Sequence, residues 1–121
     1  MNIRTTATEW YQKHFGAKPK YFYSSKYYET HESWSKSPVW WFQLSLQCLE
    51  EKLEQHVIFV GEITPEQNDF YVLKIPIQYF LDNLKEFTFL ENKSINLMLS
   101  AENHDMFKDV RGKGNVEFFN F

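Results

Sequence analysis

The chain has one cysteine, four glycines and four prolines among its 121 residues. Cys48 alone closes no internal disulfide and builds no C-x-x-C metal knuckle. A solitary thiol suits a reducing compartment, which points to the cytoplasm. So little glycine and proline excludes a collagen or a low-complexity linker. No stretch approaches the ~20 apolar residues of a membrane span. The longest apolar runs, around 57–60 and 70–73, are strand-sized. The opening MNIRTTATEWYQKHFG also lacks the apolar stretch of about 7–15 residues that a secretory signal needs. A soluble cytoplasmic protein with no membrane partner is the expectation.

Charge of one sign is scarce as well, with a formal net charge of −3. Its distribution is uneven. Residues 1–42 carry six basic and three acidic side chains, whereas 43–121 carry seven basic and thirteen acidic. Aromatics are what the chain has in abundance: 19%, as 4 Trp, 7 Tyr and 12 Phe. Twelve of these lie in the basic first third. Such asymmetry bears on partners rather than on fold. The hydrophobic share, 43%, is ordinary for a globular protein. A chain of this length is read as one domain over 1–121, able to hide roughly two thirds of its unfolded surface.

Local patterns divide the chain into short elements. Thr5 or Thr6 is positioned to cap a helix over 7–15, with Gly16 as its left-handed stop. Pro19 enforces an extended entry to KYFYSSKYYE, which reads as one strand or an irregular hairpin. In VWWFQLSL, Trp40, Phe42, Leu44 and Leu46 share one face, and Trp41, Gln43 and Ser45 the other. QCLEEKLEQ has helical spacing. HVIFVGEI and FYVLKI read as a hairpin around TPEQND. Pro76 suits the first turn of a helix carrying Ile77, Phe80, Leu81 and Leu84. INLMLS is a further strand, AENHDMFKDV a last short helix, and VEFFNF an edge strand. Strands joined by short turns pair antiparallel, with helices covering a face. The expected class is α+β, on a mainly antiparallel sheet of four to six strands with helices packed on it.

The richest constellation lies in residues 18–36, continued by Trp41. Lys18, Lys20, Lys26 and Lys36 interleave there with Tyr21, Phe22, Tyr23, Tyr27, Tyr28 and Trp34. Single-stranded nucleic acid suits this mixture, since every base offers a face to stack and every linkage a charge. Tyrosine and tryptophan also anchor protein partners. Alternate rings of a strand must point inward, however, so part of this set belongs to a core. The expected function is a non-catalytic binding module for single-stranded nucleic acid or a protein partner. The expected site is Lys18, Lys20, Tyr21, Tyr23, Lys26, Tyr27, Tyr28, Trp34, Lys36 and Trp41. No catalytic set, metal site or cofactor is expected.

An alternative is a metal-dependent nuclease. Glu91-Asn92-Lys93 has the letters of the (Asp/Glu)-x-Lys strand of the restriction-endonuclease-like family, and Asp69 stands where an acidic turn residue would. Asp69, Glu91 and Lys93 would then hold Mg²⁺ and activate water. Glu91 and Lys93 sit in a polar turn, against that pattern. A third expectation is a homo-oligomer or a subunit of a larger complex, motivated by Trp41 and the apolar end Phe118, Phe119, Phe121. That end also raises the expectation that the natural chain continues beyond Phe121. His14, His31, His56 and His104 form no H-x-x-x-H pair, and RGKG at 111–114 is too short for a P-loop.

SWSKSPVWWF, followed by FYVLKIP and INLMLSAE, resembles a group of small bacterial domains, some found beside restriction or other DNA-processing genes. The matching strings cover roughly residues 32–102. The resemblance implies a role in DNA metabolism or phage defence and brings no assigned catalytic residue.

Overall fold

A computed structural model describes residues 3–29, 38–51, 55–63, 69–90, 94–102, 106–110 and 116–118. Helix α1 (Ile3–Phe15) leads into β1 (Phe22–Ser25), β2 (Tyr27–Tyr28) and β3 (Val39–Leu44). A short α2 (Gln47–Glu51) precedes the hairpin β4 (His56–Glu62) and β5 (Phe70–Pro76). Then come α3 (Ile77–Asp82), a 3₁₀ turn at Leu84–Glu86, β6 (Thr88–Phe89) and β7 (Ile95–Ser100). The class is α+β and mainly antiparallel, as expected. The strands divide into two sheets, ordered β1-β4-β5 and β2-β3-β7-β6. One pairing is parallel: β1 runs beside β4, with Phe22 opposite Ile58 and Ser25 opposite Gly61.

The two sheets share one stretch of backbone. Ser25 pairs in the first sheet and Tyr27 in the second, with only Lys26 between them. A strand that switches sheets makes a corner between packed layers. Here the corner is fastened by side chains. Ser25 Oγ accepts the Trp41 N–H at 2.8 Å and donates to the Lys26 carbonyl at 2.8 Å. The Tyr27 N–H donates to Glu62 Oε1 at 3.2 Å. Trp40 Nε1–H donates to the Glu62 carbonyl at 2.7 Å. Neither the strand nor the hairpin expected over this stretch describes it: the chain runs on through a bend and serves both sheets.

Period-2 alternation sorts the residues of the first sheet. Val57, Phe59, Leu73 and Ile75 face the main core between the sheets. Ile58, Val60 and Phe70, with Phe22 and Val72, face α1. Ala7, fully buried, lets the helix backbone come close to that face, while Trp10 and Tyr11 pack beside it. The helix begins earlier than Thr5 or Thr6 would cap it, so both threonines lie within it. It ends as expected: Gly16, at φ +95°, donates its N–H to the Gln12 carbonyl at 3.1 Å. Lys13 and His14 occupy the last turn, where the helix dipole favours positive charge.

From the second sheet, Trp40, Phe42, Leu44, Ile95, Leu97 and Leu99 enter the main core. Phe42 stacks on Phe59 with centroids 4.5 Å apart. The other face of β7 is covered as well. Asn96, Met98 and Ser100 are buried although they alternate with the core positions. Asn96 Oδ1 accepts from Trp41 Nε1, and Asp109 Oδ1 accepts the Met98 N–H at 3.3 Å.

The helix expected over 101–110 is a correction. Residues 106–110 form turns and bridges, and Phe107 sits at φ +67°. The backbone there satisfies its groups against β7 instead of against itself. Phe107 N–H donates to the Ser100 carbonyl at 2.8 Å, Ser100 N–H to Lys108 at 2.9 Å and Val110 N–H to Met98 at 2.8 Å. Strand β7, which β6 pairs only at Ile95 and Asn96, supplies these partners, and they outweigh a weak helical preference.

The last described residues are corrected too. Phe118 is 0% exposed, between Phe59, Tyr79 and Phe80. It is part of the core and lends no apolar surface to an oligomer. Phe119 and Phe121 lie outside the described residues. Tyr79 donates its hydroxyl to the Glu117 carbonyl at 2.7 Å. Burial, the largest cause, raises the Tyr79 pKa above its ordinary 10.0; the backbone hydrogen bond at Glu117 opposes this and the Glu117 carboxylate adds to it. In the unfolded chain this phenol ionises first, so its contribution is complete below about pH 10 and is lost as pH rises through the higher folded value. Urea midpoints measured between pH 9 and 11 should therefore fall less steeply for Tyr79→Phe than for the wild type; parallel curves would contradict this.

Candidate binding surface along α1 and β1

The ten residues expected to form one surface are distributed over several environments. Tyr21 is 5% exposed and belongs to the main core. Tyr23 and Tyr27 are half-buried, against Phe59 and Trp40 respectively. Tyr28 is half-buried on β2. Lys18 and Lys20 are exposed in the connection from α1 to β1, their ammonium groups each 5.8 Å from a ring centroid, Phe22 and Tyr21. Lys26 is exposed at the corner. The span from Lys20 to Lys26 follows β1 from end to end, about 20 Å at ~3.3 Å per residue. Trp34 and Lys36 lie outside the described residues.

The alternative nuclease set is not assembled within the described residues. Asp69 is exposed, and its Oδ1 accepts the Phe70 N–H at 2.9 Å. Glu91 and Lys93 lie outside the described residues. Among the described residues, no three His, Cys, Asp or Glu side chains group as a metal set.

Trp41 is brought together with Tyr23 of the expected site and with residues outside that site. Strands β1 and β3 run close, yet they belong to different sheets and share no ladder. The seam between them opens into a groove of about 370 Å³. Ile3 and Arg4 of α1, Phe22, Tyr23 and Ser24 of β1, and Trp41 and Gln43 of β3 line it. Trp41 is half-buried, held by its backbone bond to Ser25 and its indole bond to Asn96. Phe22 is braced from the far side by Tyr11, edge-on at 5.1 Å. Both rings are thus fixed before anything binds. Among the described residues of the lining, Arg4 supplies the one formal charge, and Ser24 and Gln43 add neutral hydrogen-bonding groups.

Comparisons with known protein families, curated proteins and solved structures return no match. Geometry is therefore the basis for a functional reading. Two rigid rings, one guanidinium, an amide and a hydroxyl can stack a planar group and hold an adjoining anion. Arg4, Phe22, Ser24 and Gln43 were absent from the expected site. The signal for them was present in the alternation: Phe22 and Ser24 share a face on β1, as Trp41 and Gln43 do on β3. What brings those two faces together with the first turn of α1 is tertiary.

No helix among the described residues is long and apolar enough to cross a membrane.

Proposed function

We propose that this protein is a non-catalytic binding module that takes single-stranded nucleic acid in the groove between α1, β1 and β3. The observation that carries the reading is the lining: Phe22 and Trp41 beside Arg4, Ser24 and Gln43, with no acidic side chain among the seven residues. A base stacks on a ring whatever its identity, and the neighbouring phosphate pairs with the guanidinium. Lys26, one residue beyond the buried Ser25 that holds the Trp41 backbone, adds positive charge at the corner. The DNA-processing setting implied by the resemblance of residues 32–102 is compatible with such a ligand.

Fluorescence-anisotropy titration with short oligothymidylates at low salt tests the proposal. Each base–aromatic stack contributes ~1–3 kcal/mol, so Trp41→Ala should weaken binding about 5- to 150-fold. Trp41→Phe keeps a ring and should lose much less. Arg4→Ala should weaken binding and lower the slope of log affinity against log salt by about one. Absence of saturable binding by the wild type at low salt would reject the reading, as would wild-type affinity in both Trp41→Ala and Arg4→Ala.

A further inference from the structure

The outer face of β4 and β5 is only partly roofed by α1. On this face Ile58 stands opposite Lys74, and His56 opposite Pro76. The helix covers Val60, Val72 and Phe70 and reaches Ile58. It then stops at Phe15, and Gly16 turns the chain aside at φ +95°. Past that end lies a second concavity of about 300 Å³, lined by Tyr11, Ala17, Pro19, Gln55, His56, Ile58 and Lys74. Among the described residues it shares none with the seam groove.

Its chemistry is one-sided. Ala17, Pro19, Ile58 and the Tyr11 ring make apolar walls. The Lys74 ammonium, the His56 imidazole, the Gln55 amide and the Tyr11 hydroxyl are all able to donate hydrogen bonds. Among the described residues, no carboxylate is in the lining. Lys74 and His56 thus stand together at a small basin with apolar walls.

We infer that this basin is a binding site for the phosphate of a phosphate monoester. Such a group carries a charge of about −1.5 to −2 at neutral pH and three acceptor oxygens, which match several point-charge donors. Two sources offer this chemistry: a free phosphorylated small molecule, and the phosphorylated end of a nucleic-acid strand. The basin stands independently of the seam groove, since neither needs the other to bind.

The test is a set of NMR titrations of the whole chain, following the amides of His56, Ile58 and Lys74 together with those of Ser24 and Trp41. Inorganic phosphate, adenosine monophosphate, and one short oligonucleotide with either a 5′-phosphate or a 5′-hydroxyl are the probes. The first three amides should move saturably with inorganic phosphate and with adenosine monophosphate. Loss of a charge-assisted contact is a change of about tenfold, and Lys74→Ala and His56→Ala should each weaken the response by that much. Lys74→Arg should retain most of it. If only the phosphorylated oligonucleotide moves these amides more than its hydroxyl twin does, the ligand is a strand end. If the twins are alike while adenosine monophosphate saturates, the ligand is a free monoester. No saturation by any phosphate, or an unchanged response in both alanine variants, overturns the inference. Movement of Ser24 and Trp41 alone would leave the groove reading standing and remove this one.

Discussion

Phe59→Ala should be the most damaging single truncation in the described core, costing about 3–5 kcal/mol of stability. Phe59 is fully buried in the middle of β4 and meets rings from four directions. Phe42 stacks on it at 4.5 Å, and Tyr23, Phe80 and Phe118 approach at 5.9, 6.0 and 6.3 Å. Those neighbours come from both sheets, from α3 and from the last described segment. Truncation therefore leaves a cavity that no single element closes by shifting. Domains are commonly stable by only about 5–15 kcal/mol, so the variant should unfold at a much lower urea concentration with a similar slope. Phe59→Leu keeps most of the volume and should cost a fraction of that. A midpoint for Phe59→Ala close to that of the wild type would show that these rings do not form one packed unit.

Gly61→Ala should destabilise by about 1–3 kcal/mol although it adds a single methyl group. A Cβ at this position would lie 2.9 Å from Trp40 Cδ1, 3.0 Å from Nε1 and 3.1 Å from Cγ. The indole has little freedom to yield. It is 2% exposed, stacked on Phe107 at 5.3 Å, flanked by Tyr71 at 5.6 Å and bonded through Nε1 to the Glu62 carbonyl. Replacing glycine also restricts the unfolded chain, a gain of ~0.4–1 kcal/mol where the native backbone tolerates a side chain. The clash is the larger effect, so the sign is destabilising. Trp40→Ala removes the indole atoms that the new methyl group at position 61 meets. In a double-mutant cycle Gly61→Ala should then cost about 0.5–3 kcal/mol less than it does beside Trp40. Additivity of the two substitutions would mean that the indole is not what excludes a side chain at Gly61.

Several elements were legible because their signals are local. The alternation in VWWFQL placed Trp40, Phe42 and Leu44 on one face and Trp41 and Gln43 on the other, and β3 has that arrangement. Pro76 ends β5 and opens α3, because its ring forbids a further ladder bond and suits a helical first turn. The β4–β5 hairpin follows from two apolar runs around a proline-containing turn. The turn and bridges at 106–110 were not legible. Their hydrogen bonds go to β7, and a partner outside the segment leaves no mark in its own sequence.

The candidate sites divide in the same way. Abundant rings in the first third, the positive balance there and the face to which each ring belongs follow from the chain alone, because strand period and charge are properties of neighbouring residues. The choice of which rings meet other rings was tertiary. Tyr21, Tyr23 and Tyr27 went to the core and its margin, while Phe22 and Trp41 came to share a groove with Arg4, because the backbone changes sheets at Lys26 and leaves a seam between β1 and β3. His56 and Lys74 lie apart in sequence and beside each other in space only because β4 and β5 pair in the register that sets Ile58 opposite Lys74. Sequence periodicity sets which way a side chain points from its own strand; what it points at depends on contacts between distant segments, which only the folded chain supplies.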